Sequence, residues 1–244
     1  MLSTFIIALR EGFEAALIVG ILIAYLIRTD RASRIKPLWY GVGVATVASF
    51  AAGAVLSYTQ SSLGDRAEII FAGATSFVAA ALVTWMIFWM KATAKNLRGE
   101  LHGKVDQAIL AGPFAVALTA FLSVVREGLE TALFLYSNFN TESHPAGALT
   151  GLILGLATSI LLGYLVFKSS IKLNMSKFFL ITGIALIIIV GNIISYGYHE
   201  FEELGWLPES NLLRYGTAGT YIVIASYYYS RSAKKPAEKT LVHA

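Results

Sequence analysis

Apolar residues are grouped along this chain into long runs, which charged or turn-forming residues interrupt. A hydrocarbon layer of about 30 Å is crossed by roughly 20 apolar residues in an α-helix, and seven runs in the sequence reach or approach that length. The pattern predicts an all-α membrane protein with seven transmembrane helices. The predicted spans are about 4–27, 38–59, 68–90, 112–138, 147–167, 178–198 and 212–229.

Basic residues are distributed unevenly between the two sides that these spans define. Fifteen of the 19 follow the first, third, fifth and seventh spans, whereas only Arg66 and Arg214 lie in the other connections. Cytoplasmic loops of membrane proteins carry the excess of lysine and arginine. We therefore predict that the N-terminus lies outside and that the C-terminus is cytoplasmic. This distribution also explains the net charge of +4 without a nucleic-acid partner.

Composition supports assignment to the membrane proteins and restricts the kinds of metal ligand that the chain can offer. Hydrophobic residues make up 56% of the chain and charged residues 14%, against about 25% charged residues in soluble domains. The sequence contains no cysteine, which excludes disulfides, thiolate metal sites and iron–sulfur clusters. Any metal ligands must therefore be oxygen or imidazole donors.

An eight-residue element occurs twice. The sequences REGFEAAL at 10–17 and REGLETAL at 126–133 agree at six of eight positions. Three predicted crossings separate the copies, so their helices run in opposite directions. This predicts two inverted three-helix repeats plus one extra helix, a plan that secondary transporters often use.

The repeats divide a single transmembrane domain that covers residues 1–244. We expect the first repeat at 1–111 and the second at 112–200. An outer acidic loop and the seventh helix follow at 201–230, and a basic cytoplasmic tail at 231–244 closes the chain.

Each copy of the element places one arginine and two glutamates inside the predicted hydrocarbon layer. Such residues cost roughly 2.5–3.5 kcal/mol each at a helix centre, so they need partners or a polar cavity. Arg10 and Glu14 are four residues apart, as are Arg126 and Glu130, so each pair can form an ion pair within its helix. The remaining negative charge predicts a bound cation or protonation.

Carboxylate oxygens are hard ligands, and hard cations such as ferric iron prefer them. Gly12 and Gly128 at the centres of the two copies let helices approach closely. The predicted metal ligands are Glu11, Glu14, Glu127 and Glu130, with motif support from Arg10, Gly12, Arg126 and Gly128.

The doubled Arg-Glu-Gly-x-Glu motif resembles the oxidase-dependent iron transporters, the Ftr-type iron permeases, and among them the short bacterial EfeU-type permeases. The likeness extends to the segment 84–90 and to the acidic stretch 199–208. It implies a permease, not an enzyme, that imports iron, expected as Fe³⁺, across a bacterial cytoplasmic (inner) membrane. It also implies that the four glutamates carry the metal, that iron is a transported substrate with no cofactor, and that an extracytoplasmic iron-oxidising or iron-delivering protein is a partner.

Several secondary features complete the picture. The acidic stretch is expected to form an outer cation-collecting loop. Gly147, Gly151 and Gly155 form a row that packs against another helix or subunit, which leaves a homo-oligomer open. We interpret Trp85 and Trp89 as membrane-interface anchors, and Met86 and Met90 as packing residues. The collecting residues are His199, Glu200, Glu202 and Glu203.

Three alternative functions remain open from the residues alone, of which a non-transporting receptor or scaffold is the third. The first is transport of another hard or borderline divalent cation, namely Fe²⁺, Mn²⁺ or Pb²⁺, because carboxylates bind all of them. The second is a membrane di-iron oxidase. Di-iron sites in helical bundles use a Glu-x-x-His element, and no histidine lies near either motif copy.

Overall fold

The computed structural model describes residues 1–93, 107–141, 145–168 and 174–232. Every regular element in these ranges is helical, so the predicted all-α class is confirmed for the described chain. Seven of the fifteen basic residues that orient the chain fall at 94–106, 169–173 and 233–244, outside the described residues, and no membrane is present in the structure. The predicted orientation therefore stays a prediction.

Long helices account for most of the described residues. Each predicted apolar run coincides with one helix to within a few residues at its ends, because the runs are bounded by turn-forming and charged residues. A 3₁₀ turn at Ala32–Arg34 and a helical turn at 107–111 lie between them. The helices are α1 Leu2–Arg28, α2 Ile35–Ser61, α3 Asp65–Thr93, α4 Pro113–Thr141, α5 Pro145–Phe167, α6 Met175–Glu203 and α7 Asn211–Ser232.

Four of these helices, α2, α3, α5 and α6, are long and apolar enough to cross a membrane by length and composition. Helices α1 and α4 differ because each carries the arginine and two glutamates of a motif copy near its middle. Helix α7 carries Arg214 and Arg231 and is rich in tyrosine. That all seven helices cross the membrane stays a prediction.

Three helix pairs form the largest interfaces within the described residues: α1 with α5, α2 with α4, and α3 with α6. Small residues make these close contacts possible. A Cβ atom added at Gly155 of α5 would lie 2.7 Å from the carbonyl oxygen of Phe5 and 2.8 Å from Cβ of Ala8. The glycine row of α5 thus faces α1 of the same chain.

Two apolar clusters lie on either side of the motifs along α1 and α4. One contains Ile7 of α1 and Phe134 of α4, together with residues of α3, α6 and α7. The other contains Ile18 of α1 and Ala120 of α4, together with residues of α2. The charged residues at 10–14 and 126–130 lie between these clusters in sequence, so apolar packing holds both helices on each side of the site.

The acidic group near residue 200 requires a correction. The end of the sixth apolar run predicts a loop that contains His199, Glu200, Glu202 and Glu203, but α6 continues to Glu203 and these residues form its last turns. Nδ1 and Nε2 of His199 each lie 3.4 Å from a carboxylate oxygen, of Glu202 and Glu203 respectively. Contacts at these three- and four-residue spacings extend the helix beyond its apolar part.

Candidate metal site

The first motif copy lies on α1 and is almost completely buried. Arg10 is 2% exposed, Glu11 1% and Glu14 2%. Nε of Arg10 donates a hydrogen bond to Oε1 of Glu14 at 3.0 Å. The ion pair that the four-residue spacing predicts is therefore present in this copy.

The second copy, on α4, is more open and is paired differently. The Arg126 side chain is 43% exposed, and its Nε and Nη2 donate to Oε1 of Glu127 at 3.0 and 2.6 Å. Its Nε lies 3.8 Å from Oε1 of Glu130, within ion-pair range only. The neighbouring glutamate, not the one four residues on, receives the hydrogen bonds.

Glutamates from the two copies meet between α1 and α4. Glu11, Glu14 and Glu127 each offer one carboxylate oxygen, and these three atoms lie within 4.8 Å of one another. Like charges at that separation repel by about 3 kcal/mol at an effective dielectric constant of 20. A cation between them, or protonation, removes this repulsion.

The oxygens of this cluster are open to a ligand. Among the described residues, neither carboxylate oxygen of Glu11 has a hydrogen-bond partner, nor has Oε2 of Glu14 or of Glu127. Buried polar atoms normally have partners, so four such oxygens in one place indicate a site that binds a further group. Only oxygen donors are offered, and hard cations suit them.

The fourth predicted ligand lies at the edge of this cluster. Glu130 is not one of the three converging glutamates, and its side chain is 17% exposed. Its Oε2 is also buried without a partner. The structure therefore brings three of the four predicted ligands together and leaves the fourth beside Arg126.

Each motif glycine lies against a serine of a neighbouring helix. A Cβ atom added at Gly12 would lie 3.0 Å from Cβ of Ser159 on α5, and one at Gly128 would lie 2.7 Å from Cβ of Ser49 on α2. Both distances are too short for ordinary packing. The two glycines thus let α5 and α2 approach the motif helices closely.

A cavity of about 410 Å³ adjoins the carboxylates. Glu11 and Glu127 reach its wall, and the hydroxyl groups of Ser49 and Thr131 lie among mainly apolar neighbours. Tyr136 also lines it, and its hydroxyl donates to Oε1 of Gln60 at 2.6 Å. The cavity thus gives the buried glutamates a space in which an ion can approach them.

Comparison with known proteins identifies the family of the chain. The model of the iron permease FTR1 family matches residues 1–224. This chain belongs to the FTR1 iron permease family. It is 34% identical over 211 residues to proteins named ferrous iron permease EfeU from Escherichia coli O6:H1 and Shigella sonnei, covering 84% of this chain and 75% of each relative. The namesake from Yersinia pestis is 34% identical over 208 residues, with 84% and 73% covered. No solved structure matches.

Helix α3 contributes two contacts to the motif arginines that the sequence pattern does not predict. Nη2 of Arg10 donates to Sδ of Met86 at 3.0 Å. The guanidinium of Arg126 lies over the Trp89 ring, 4.6 Å from its centre. Apolar and aromatic residues in a span suggest packing, so only the family likeness of segment 84–90 could have drawn attention to them.

The acidic group at the end of α6 makes structural contacts as well as exposing charge. Oε1 of Glu202 accepts a hydrogen bond from the backbone of Ser210 at 3.0 Å, and its Oε2 lies 3.6 Å from Arg214. These contacts fix the start of α7. The side chains of His199 and Glu203 remain about half exposed, at 46% and 50%, whereas Glu200 is 9% exposed.

Proposed function

We propose that this protein is an iron permease, which moves iron across the cytoplasmic membrane of a bacterium through a site shared by the two motif copies. One observation carries the proposal: carboxylate oxygens of Glu11 and Glu14 on α1 and of Glu127 on α4 lie within 4.8 Å of one another. Family membership supports iron as the substrate. Glu130 completes the ligand set as a fourth carboxylate at its edge.

The oxidation state of the iron has two candidates. The hardness of carboxylate oxygens favours Fe³⁺, the species expected from the sequence. Fe²⁺ is the second candidate, because four glutamates and two arginines leave a formal charge of −2 that a divalent ion neutralises, and burial penalises any surplus charge. The relatives' name, ferrous iron permease, also supports it.

The packing pattern supports a pair of inverted three-helix repeats, α1–α3 and α4–α6. In such repeats α1 corresponds to α4, and α2 corresponds to α5. The α1–α5 interface therefore corresponds to the α4–α2 interface, and both are among the largest in the described residues. The contact of Gly12 with Ser159 likewise corresponds to that of Gly128 with Ser49. We propose seven crossings with the N-terminus outside, and α7 as the extra helix.

The transport cycle follows from these parts. The acidic group at the end of α6, of which Glu203 is half exposed, raises the local cation concentration outside. The motif carboxylates then replace the hydration shell of the ion, and relative movement of the repeats opens the site inward. Arg10 and Arg126 pair with the carboxylates after release, which lowers the cost of the empty site. Iron reaches the site from an extracytoplasmic oxidising or delivering partner.

Radio-iron uptake into proteoliposomes tests this function. Wild type is compared with Glu14→Ala and Glu130→Ala, with iron held ferric by a weak chelator or ferrous by ascorbate. The proposal expects uptake that both substitutions reduce, and the preferred condition identifies the species. The exposed Glu209 offers a matched control, because Glu209→Ala removes a carboxylate outside the cluster. Equal uptake by all variants would show that the motif is structural.

The same vesicles separate the remaining alternatives. Uptake of Mn²⁺ or Pb²⁺ in preference to iron would make the protein a transporter of another cation. Oxygen consumption with ferrous iron would indicate a di-iron oxidase. Full-rate transport by Arg10→Ala or Arg126→Ala would contradict the proposed role of the arginines.

A further inference from the structure

Both motif arginines contact the same short segment of α3. Met86 accepts a hydrogen bond from Arg10, and Trp89 stacks on Arg126. Residues three apart lie on one face of a helix, so a single face of α3 meets the guanidinium of each motif copy. Neither contact follows from the motif itself.

Helix α3 is held firmly where it makes these contacts. It forms one of the largest interfaces with α6, and Met86 and Ile87 lie in the apolar cluster with Leu186 and Ile187 of α6. The hydroxyls of Thr84 and Tyr221 lie 2.7 Å apart, which ties α3 to α7. The segment is therefore fixed by helices other than those that carry the motifs.

The arginines do not use all the acceptors beside them. Nη1 of Arg10 is buried without a partner, and both oxygens of the adjacent Glu11 also lack one. Arg126 likewise leaves Oε2 of Glu127 and of Glu130 without a hydrogen bond. An arginine free to rotate would form such bonds, because burying unpaired polar atoms is costly.

We propose that Met86 and Trp89 are positioning residues, which restrict Arg10 and Arg126 to one oxygen each of Glu14 and Glu127 and so keep the remaining oxygens of the cluster available to iron. The proposal rests on the proposed function. A released guanidinium would pair with the free oxygens and compete with the ion, so loss of either contact weakens iron binding. It leaves the carboxylates themselves in place.

The test measures uptake of radio-iron by proteoliposomes in the oxidation state that wild type prefers. For Trp89→Leu we expect KM to rise about 2- to 5-fold, as loss of a partly exposed cation–π contact predicts, while kcat changes less than about twofold. Met86→Leu keeps the volume and removes the acceptor. Because sulfur is a weak acceptor, a rise in KM of about two- to fivefold is expected.

Two variants control for packing. Trp89→Phe keeps an aromatic face and should restore most of the iron affinity. Met90→Leu makes the same chemical change as Met86→Leu one turn further along α3, at a residue that is 5% exposed and packs in the same apolar cluster. Its KM should match that of wild type. A KM for Met90→Leu as high as that for Met86→Leu would overturn the proposal.

A double-mutant cycle shows whether each residue acts through its arginine. Iron affinity is measured by equilibrium dialysis in detergent, so that the cycle does not depend on turnover. Trp89→Leu should have no further effect in an Arg126→Ala background, and Met86→Leu none in Arg10→Ala. Independent, additive effects would overturn the proposal. Absence of iron uptake by wild type would instead reject the proposed function, so the two failures are distinguishable.

Discussion

The two motif copies have nearly the same sequence but different surroundings. On α1, Arg10 is 2% exposed and bonds to the glutamate four residues on. On α4, Arg126 is 43% exposed, and its hydrogen bonds go to the adjacent Glu127. The difference shows that a repeated motif fixes which groups reach the site, whereas neighbouring helices decide how they pair and how deeply they are buried.

The arginines should show the largest difference between the copies. Arg10→Ala leaves Glu14 as an unpaired buried carboxylate, which we expect to lower the free energy of unfolding by about 3 kcal/mol or more. Arg126→Ala also leaves the buried Glu127 without its partner, but the guanidinium is 43% exposed and partly screened by solvent, so the loss should be smaller, about 1–2 kcal/mol. Denaturant unfolding of both variants in the same detergent measures the difference. Equal losses would mean that the burial difference has no energetic consequence.

The second glutamates of the two copies, Glu14 and Glu130, should differ in their effect on iron transport. Glu14 belongs to the converging cluster and Glu130 lies at its edge. Loss even of a group that only supports a metal ligand costs about 10- to 100-fold, so we expect Glu14→Gln, which removes a converging ligand, to reduce kcat/KM for iron by about 100-fold or more, and Glu130→Gln, at the edge, by about 10-fold. Initial uptake rates in proteoliposomes provide the test. A larger loss for Glu130→Gln would reverse the assignment.

The motif glycines should show the smallest difference between the copies. Adding a methyl group at either position overpacks a helix contact, which typically costs about 1–3 kcal/mol. Gly128→Ala should be the worse of the two, because its Cβ would lie 2.7 Å from Cβ of Ser49, against 3.0 Å for Gly12 and Ser159. Ser159→Ala should partly rescue Gly12→Ala. Thermal unfolding of the single and double variants checks the order, which equal or inverted losses would refute.

Much of the architecture could be predicted from local pattern. The apolar runs predicted the positions of the helices, because the length of each run and the residues that bound it can be read directly from the sequence. The doubled motif indicated which residues would meet. The i,i+4 rule then correctly paired Arg10 with Glu14.

Features that depend on contacts between distant segments could not be predicted. One example is the hydrogen bonding of Arg126 to Glu127, which leaves Glu130 at the edge of the cluster. In the structure, Trp89 of α3 lies against the Arg126 guanidinium. A second example is the end of α6, which continues past the apolar run through Glu200 and Glu202. Glu202 there accepts a hydrogen bond from the backbone of Ser210, just before α7. Sequence spacing within one helix contains no information on such neighbours.

Iron binding to detergent-solubilised protein tests most directly whether one ion is shared by the two copies. Equilibrium dialysis with radio-iron would compare wild type with Glu11→Gln, Glu127→Gln and the double variant. A shared site predicts one high-affinity ion per chain, its loss in either single variant, and no further loss in the double variant. Two ions per chain, each removed by one substitution alone, would contradict it.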